Sequence, residues 1–539
     1  MATRARLPPV YSDPLTDDDR KILALSLAQI VDECNARTLC PRDILHAYGK
    51  RALLAQDATN CLSDIMFHEA ERVPPLHRPL TGVVVSLKDC IDVAGHDTTL
   101  GYSRNVGRPV EESAPIVRLL RDAGALIHTK TTVPTGLLSF ETTSDLFGET
   151  TNPYNPAFSP GASTGGGAVL VAYQGSVVEI GTDIGGSTRF PAAYCGVYSV
   201  KSSVGRFPSD GCVPCLPGQE SAPTVTSPIA RTLDDLQEFW QRVVEMRPWM
   251  YDHTCVPLPW RTVDFVLSGR KPKWGVIWSD GIVPPSPACT RALAETVAAL
   301  RRAGHEVVDF KPPSILEGLK IGYQLMFADG GASLRSLRRW GESTNGAQAA
   351  ALLLLSLPLW IKVLFAFMLR TCSRPWGRND TWAALVEVFN ACSVEREHAL
   401  NVERERYKRA WGEAMADLDF LLTVPHAIPA VPKGGSDAAT LVSASYAFLF
   451  NVLDYAAGVQ PVMTVDATRD ALPAEYGYAE MNDIARGVYG LYDAAAMHGL
   501  PVAVQVVGRR LEEEKVLAGM REVERALWDA GKGFVQKKF

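Results

Sequence analysis

A chain of 539 residues, 47% hydrophobic and 21% charged, has the composition of a large globular protein and excludes intrinsic disorder as its default state. The net charge of −6 and a pI near 6.0 come without a basic stripe, so no nucleic acid partner is expected. Eleven scattered cysteines fit a reduced setting better than a disulfide framework.

In chain order, Met1 to Asp19 carries charges and prolines and no apolar run, so no signal peptide is expected and the cytoplasm is the expected compartment. Asp17 to Arg37 reads as one amphipathic helix, with Ile22, Leu23, Leu25, Leu27, Ile30 and Val31 apolar. Pro41 to Leu53 reads as a second, so residues 17–53 form a helical N-terminal stretch. Val83 to Leu87 is a short apolar run that predicts a buried strand ending at Lys88. Ser113 is placed to cap a helix over Ala114 to Ala123, Gly124 ends it, and Ala125 to Thr129 predicts the next strand. The rhythm recurs in helix Ala288 to Ala303, Gly304 and strand Glu306 to Phe310, and in strand Pro501 to Val507 before helix Leu511 to Ala530. It predicts an α/β protein: one large domain over 1–539, with a mainly parallel or mixed sheet covered by helices on both faces.

Residues 345–376 read as an inserted apolar helical region. Ala351 to Leu369 is interrupted only by Ser356, Pro358 and Lys362. That run nearly reaches the ~20 residues of a spanning helix, but Pro358 predicts two short helices instead. Arg370, Arg374 and Trp360 suit a membrane interface; burial in the core or in a homodimer contact fits the same pattern.

Two glycine-rich turns carry hydroxyl residues: Pro160-Gly161-Ala162-Ser163-Thr164-Gly165-Gly166-Gly167 and Gly181-Thr182-Asp183-Ile184-Gly185-Gly186-Ser187-Thr188-Arg189. Glycines before Ser187 allow a tight turn in which the backbone N–H groups of Ile184, Gly185, Gly186 and Ser187 face one small space, the arrangement that holds an oxyanion. The plainer reading is a turn whose serine caps the next segment. Ser163 precedes an apolar helix over Gly166 to Tyr173 and fits an N-cap or a phosphate loop, but no Walker lysine follows the glycines. Lys88 fits a solvated strand end or, if buried, a neutral amine able to act as a base. His96 and His128 are alternative bases. No His-Glu-x-x-His pair supports a zinc site, and Gly-x-Ser-x-Gly is absent around Ser187. Cys212-Val213-Pro214-Cys215 has redox spacing but no second pair, so incidental thiols are expected.

These runs, with Ser86-Leu87-Lys88-Asp89 upstream, resemble the amidase signature family. Lys88 and Ser163 lie 75 residues apart, and Ser163 and Ser187 lie 24 apart, matching the family's spacing. The likeness extends through Asp145 to Pro153, Ser445 to Gly458 and Gly499 to Gln505. It implies the amidase signature fold and an amide hydrolase with Ser187 as nucleophile, Ser163 as a relay carrying a cis peptide bond, and Lys88 as base. It also implies that no metal or organic cofactor is needed. Asp183, Arg189 and Thr164 are implied as support for the loops. Gly161-Ala162-Ser163-Thr164-Gly165-Gly166 departs from the usual Gly-Gly-Ser-Ser-Gly-Gly, and Thr188 replaces a branched aliphatic residue.

Two branches compete over the substrate. Trp249 to Asp252 and Val256 to Trp260 resemble fungal acetamidase-type amidases. Leu357 to Lys362, Phe327 to Gly331 and Ser445 to Gly458 resemble fatty acid amide hydrolases. The second likeness implies Leu137, Leu138 and Phe140 in an acyl pocket. It also implies Leu359, Trp360 and Phe365 in peripheral or monotopic contact with an intracellular membrane. A lipophilic amide is the expected substrate, with small aliphatic or aryl amides as the alternative. An inactive scaffold and a tRNA amidotransferase subunit are more remote readings.

Overall fold

The computed structural model describes residues 7–73, 77–371, 379–473, 477 and 481–539. The strands are β1 (Leu62–Ile65), β2 (Val84–Lys88), β3 (Leu126–Thr131), the short hairpin of β4 (Thr143–Ser144) and β5 (Gly148–Glu149), β6 (Val178–Asp183), β7 (Tyr198–Lys201), β8 (Val225–Ala230), β9 (Lys273–Val276), β10 (Glu306–Asp309), β11 (Phe420–Thr423), β12 (Ala457–Thr464) and β13 (Pro501–Val507). All but β4 and β5 join one 11-stranded sheet in the order β1-β3-β2-β6-β8-β7-β12-β13-β11-β9-β10. It is mixed. β2 runs parallel to β3 and β6, and β9 parallel to β10 and β11. The strands between those groups, β8, β7, β12 and β13, pair antiparallel. β2, β3 and β6 are buried along their whole length, as strands covered on both faces must be.

The N-terminal stretch differs from its predicted single helix. α1 (Asp17–Leu23) ends before α2 (Leu27–Asn35) begins. The break is a capping box: Ser26 Oγ accepts from Gln29 N–H while Gln29 Oε1 accepts from Ser26 N–H, which makes Ser26 a helix start rather than an interior residue. α3 (Pro41–Thr59) follows, and then the one-turn α4 (Phe67–Ala70). α5 (Pro115–Asp122) has Ala114 at its N-cap, not Ser113, whose hydroxyl instead accepts from Ala94 N–H.

The loop after β2 is anchored by His96. One ring nitrogen meets Asp64 at 2.7 Å and the other Glu69 at 2.7 Å. The Asp64 hydrogen bond, with Glu69 adding to it against burial, raises the imidazole's proton affinity above its ordinary value. A raised folded-state value contributes stability that is complete below the unfolded value near pH 6.5 and is lost as pH rises through the folded one. His96→Gln is therefore expected to cost about 1–2 kcal/mol near pH 6 and less at pH 9, discounted because both carboxylates are partly exposed. Equal losses at both pH values in denaturation experiments would contradict this.

The apolar insertion forms two helices, Gly346–Ser356 and Leu359–Thr371, bent by 112° about the break at Leu357-Pro358. The buried Lys362 Nζ donates to Leu354 O and Phe389 O, tying the second helix back to the end of the first. Among the described residues no single helix is long and apolar enough to cross a membrane. The expected extent to residue 376, and Arg374 with it, runs outside the described residues.

Candidate active site

Lys88, the last residue of β2, points into the protein and is fully buried. Its Nζ lies 2.8 Å from Ser163 Oγ, 2.8 Å from Thr182 Oγ1 and 3.1 Å from Thr182 O, and donates to all three. No carboxylate reaches it within ion-pairing distance among the described residues. Burial lowers the amine's proton affinity, and the nearby Cys90 and Asp183 only partly counter that.

Ser163 follows a cis peptide bond, Ala162–Ser163, and lies just ahead of α6 (Gly165–Ala172). Ser187 stands in the turn between β6 and α7 (Arg189–Cys195). Thr164 N–H donates to Ser187 O at 3.0 Å, so the two glycine turns are held edge to edge. Thr164 is fully buried, with its methyl and hydroxyl in the space a side chain on Gly181 would need; its hydroxyl has no hydrogen-bond partner among the described residues.

The Ser187 turn is built on Asp183. This carboxylate accepts from Gly186 N–H at 2.8 Å and from Thr188 N–H and Oγ1–H at 3.1 Å each. It also accepts from Arg189 Nε and Nη2. Asp183 and Arg189 are both fully buried. Burial alone would raise the Asp183 carboxyl; the Arg189 guanidinium outweighs it and holds the carboxyl well below the usual carboxylate range. Arg189 is fixed in turn by Ala447 O, Gln505 Oε1 and Asn451 Oδ1. Gly186 has φ 117°, and a side chain there would strike Phe190 and Ala447, so only glycine fits. One of the four N–H groups grouped from sequence is thus already engaged, that of Gly186. Among the described residues, those of Ile184, Gly185 and Ser187 have no acceptor.

Ser187 opens onto a narrow, partly solvent-open pocket with a mostly apolar wall. Leu137, Leu138 and Phe140 line it, as do Ile184, Phe190, Tyr323, Met326, Leu441 and Phe448; beside Ser187, Ser139 is the other hydroxymethyl group in its wall. The helix Gly346–Ser356 packs on the short 3-10 helix Leu441–Ala444, so the apolar insertion adjoins this wall. In the second insertion helix only Lys362, Ala366 and Leu369 are buried, while Leu359, Trp360 and Phe365 are 55%, 68% and 37% exposed.

The two histidines proposed from sequence as alternative bases lie elsewhere. His128 is buried with its ring nitrogens 3.0 Å from Val85 O and 2.9 Å from Gly175 O, one of which accepts from the single N–H of the neutral ring; burial pushes its pKa down to about 4. His96 is held in the Asp64–Glu69 clamp. Cys212 and Cys215 are buried free thiols. Sequence reasoning missed Thr182, whose hydroxyl and carbonyl hold Lys88, and Asn451 and Gln505, which hold Arg189. The cavity residues Tyr323, Met326 and Leu441 lie in segments that no spacing connects to Ser187.

The chain is similar over nearly its whole length to known amidases. The chain is 34% identical to fatty-acid amide hydrolase 1 of Sus scrofa over 533 residues, covering 95% of this chain and 87% of that one. It is 32% identical to an acetamidase of Emericella nidulans, covering 96% and 92%. Among solved structures, a fatty acid amide hydrolase superposes with a TM-score of 0.81 at 26% identity, covering 95% of this chain and 87% of that one. A family model described as Amidase matches residues 43–517. The chain thus belongs to the amidase family, with the amidase signature fold, and is an amide-hydrolysing enzyme.

Proposed function

We propose that the protein hydrolyses a lipophilic, fatty-acyl amide through an acyl-enzyme on Ser187, with Lys88 as base and Ser163 as relay. The observation that carries the relay is the contact of a fully buried Lys88 Nζ with Ser163 Oγ at 2.8 Å. A neutral amine keeps the same three neighbours by donating to Thr182 O and Oγ1 and accepting from the Ser163 hydroxyl. Lys88 takes the Ser163 proton as Ser163 takes that of Ser187, and Ser187 Oγ attacks the amide carbonyl. The N–H groups of Ile184, Gly185 and Ser187 hold the resulting oxyanion. The proton returns through Ser163 to the nitrogen, the C–N bond breaks, and water then releases the acid by the reverse path. Asp183 and Arg189 keep the turn in shape, and Thr164 fills the space beneath it.

The acyl preference rests on the apolar lining around Leu137, Leu138 and Phe140 and on the exposed apolar face beside it. Leu359, Trp360 and Phe365 enter the bilayer interface, and the bent pair lies on the membrane without crossing it. In a series of primary amides from acetamide to oleamide, kcat/KM is expected to rise about fourfold per methylene until the cavity is filled, following ~0.8 kcal/mol per buried CH₂. A flat or short-chain-favouring profile would leave the acetamidase-like reading in its place. Replacing Leu359, Trp360 and Phe365 together by Ser is expected to weaken liposome co-sedimentation at least about a hundredfold; unchanged sedimentation would remove the membrane contact.

A further inference from the structure

Glu179 is a fully buried carboxyl between the central strands, and the relay gives it no task. In β6 it stands opposite Ser86 of β2, and Lys88 follows two residues later on the same face. Glu179 and Lys88 are close enough on that face to interact electrostatically. Thr131 of β3, the register partner of Lys88, donates its hydroxyl to Glu179 Oε1 at 2.7 Å, while Oε2 has no hydrogen-bond partner among the described residues. The first turn of α6 closes over this carboxyl: a Cβ on Gly167 would stand 2.2 Å from Glu179 Cδ. The same turn begins two residues after Ser163. One carboxyl therefore touches both the strand partner of Lys88 and the helix that follows Ser163.

The two groups sense each other's charge. Burial drives each toward its neutral form: it lowers the Lys88 amine and pushes the Glu179 carboxyl up to about 7. Ionising Glu179 favours a charged Lys88. The other ionisable groups around the pair are Asp183, already committed to Arg189, and the thiols of Cys61, Cys90 and Cys215, which burial raises and keeps uncharged. Ser86 and Thr131, the remaining polar neighbours of the carboxyl, do not titrate, and α6 carries no ionisable side chain.

We propose that Glu179 is a positioning residue for the base: its carboxyl is the countercharge that decides at which pH the Lys88 amine gives up its proton. This rests on the reading of Lys88 as the base that serves Ser163 and Ser187. The test is the second-order rate of Ser187 labelling by a fluorophosphonate as a function of pH, which requires no knowledge of the native amide. Thermal unfolding of each variant is run alongside. Glu179→Gln keeps the acceptor for Thr131 but not the charge, so its acid limb is expected at lower pH. On the part of that limb above about pH 7, where the wild-type carboxyl is ionised, labelling should be about tenfold faster than wild type, and the two profiles should converge below it. Thr131→Val removes the donor that favours the carboxylate and should move the limb the same way by less. A purely structural Glu179 would change the unfolding temperature and leave the limb in place. Superimposable limbs in folded Glu179→Gln, or in Thr131→Val should Glu179→Gln fail to fold, would overturn the proposal. Lys88→Ala separates the two claims: near-wild-type labelling there sinks the base itself, whereas lost labelling there with an unmoved limb in Glu179→Gln sinks only the role of Glu179.

Discussion

Ser187→Ala is expected to abolish amide turnover and covalent capture by a fluorophosphonate, with a loss of at least about 10⁴-fold in kcat. The alanine removes the oxygen proposed to attack while leaving the Asp183-anchored turn and the pocket intact, so binding of an uncleaved amide should persist. Lys88→Ala acts differently. It leaves the proposed nucleophile in place without its proposed base, so a residual rate that climbs with hydroxide is expected to replace the rise expected near neutral pH in wild type. A loss of about 10³-fold at pH 7, shrinking above pH 9, is the expected profile. The two variants together locate the chemistry: turnover above about 1% of wild type in folded Ser187→Ala, or a wild-type profile in Lys88→Ala, would each remove the residue from its role.

The largest stability effect is expected at Asp183. Taking away one partner of a buried ion pair leaves the other charge uncompensated, which costs about 3–5 kcal/mol. In Asp183→Ala the stranded charge is Arg189, and the Gly186 N–H, Thr188 N–H and Thr188 hydroxyl lose their acceptor as well. Activity should fall with stability, because the N–H groups of Ile184, Gly185 and Ser187 depend on that turn. Asp183→Asn keeps an acceptor for Gly186 and should lose less of both. The depressed carboxyl also sets a pH window: its contribution is present above the ordinary carboxylate value near 3.9 and is lost as pH falls below it. Denaturation at pH 7 and pH 3 reads this directly; an Asp183→Ala protein with wild-type stability at pH 7 would refute it.

Much of this was legible beforehand because it depends on local chemistry. The buried run ending at Lys88, the glycines around Ser163 and Ser187, and the break at Pro358 each follow from residue type and spacing, and each appears where expected. Strand Pro501–Val507 has the bounds that its apolar run predicts. The errors were also local in kind. Ser26 fits a continuous helical pattern, but its reciprocal hydrogen bonds with Gln29 make it a helix start, and Ser113 caps a loop rather than a helix.

What residue type and spacing by themselves determined is the α/β character of the chain and the candidates Lys88, Ser163 and Ser187, whose proposed roles come from the family resemblance. Tertiary structure alone decided how they are joined. Thr182 reaches Lys88 and Glu179 stands near it because β2 and β6 lie side by side in parallel register. Asn451 and Gln505 fix Arg189 from more than 250 residues away. The histidines were excluded as bases by where their ring nitrogens point, which no spacing encodes. Periodicity reports the face a residue occupies; which distant residue shares that face is settled by how the whole sheet packs.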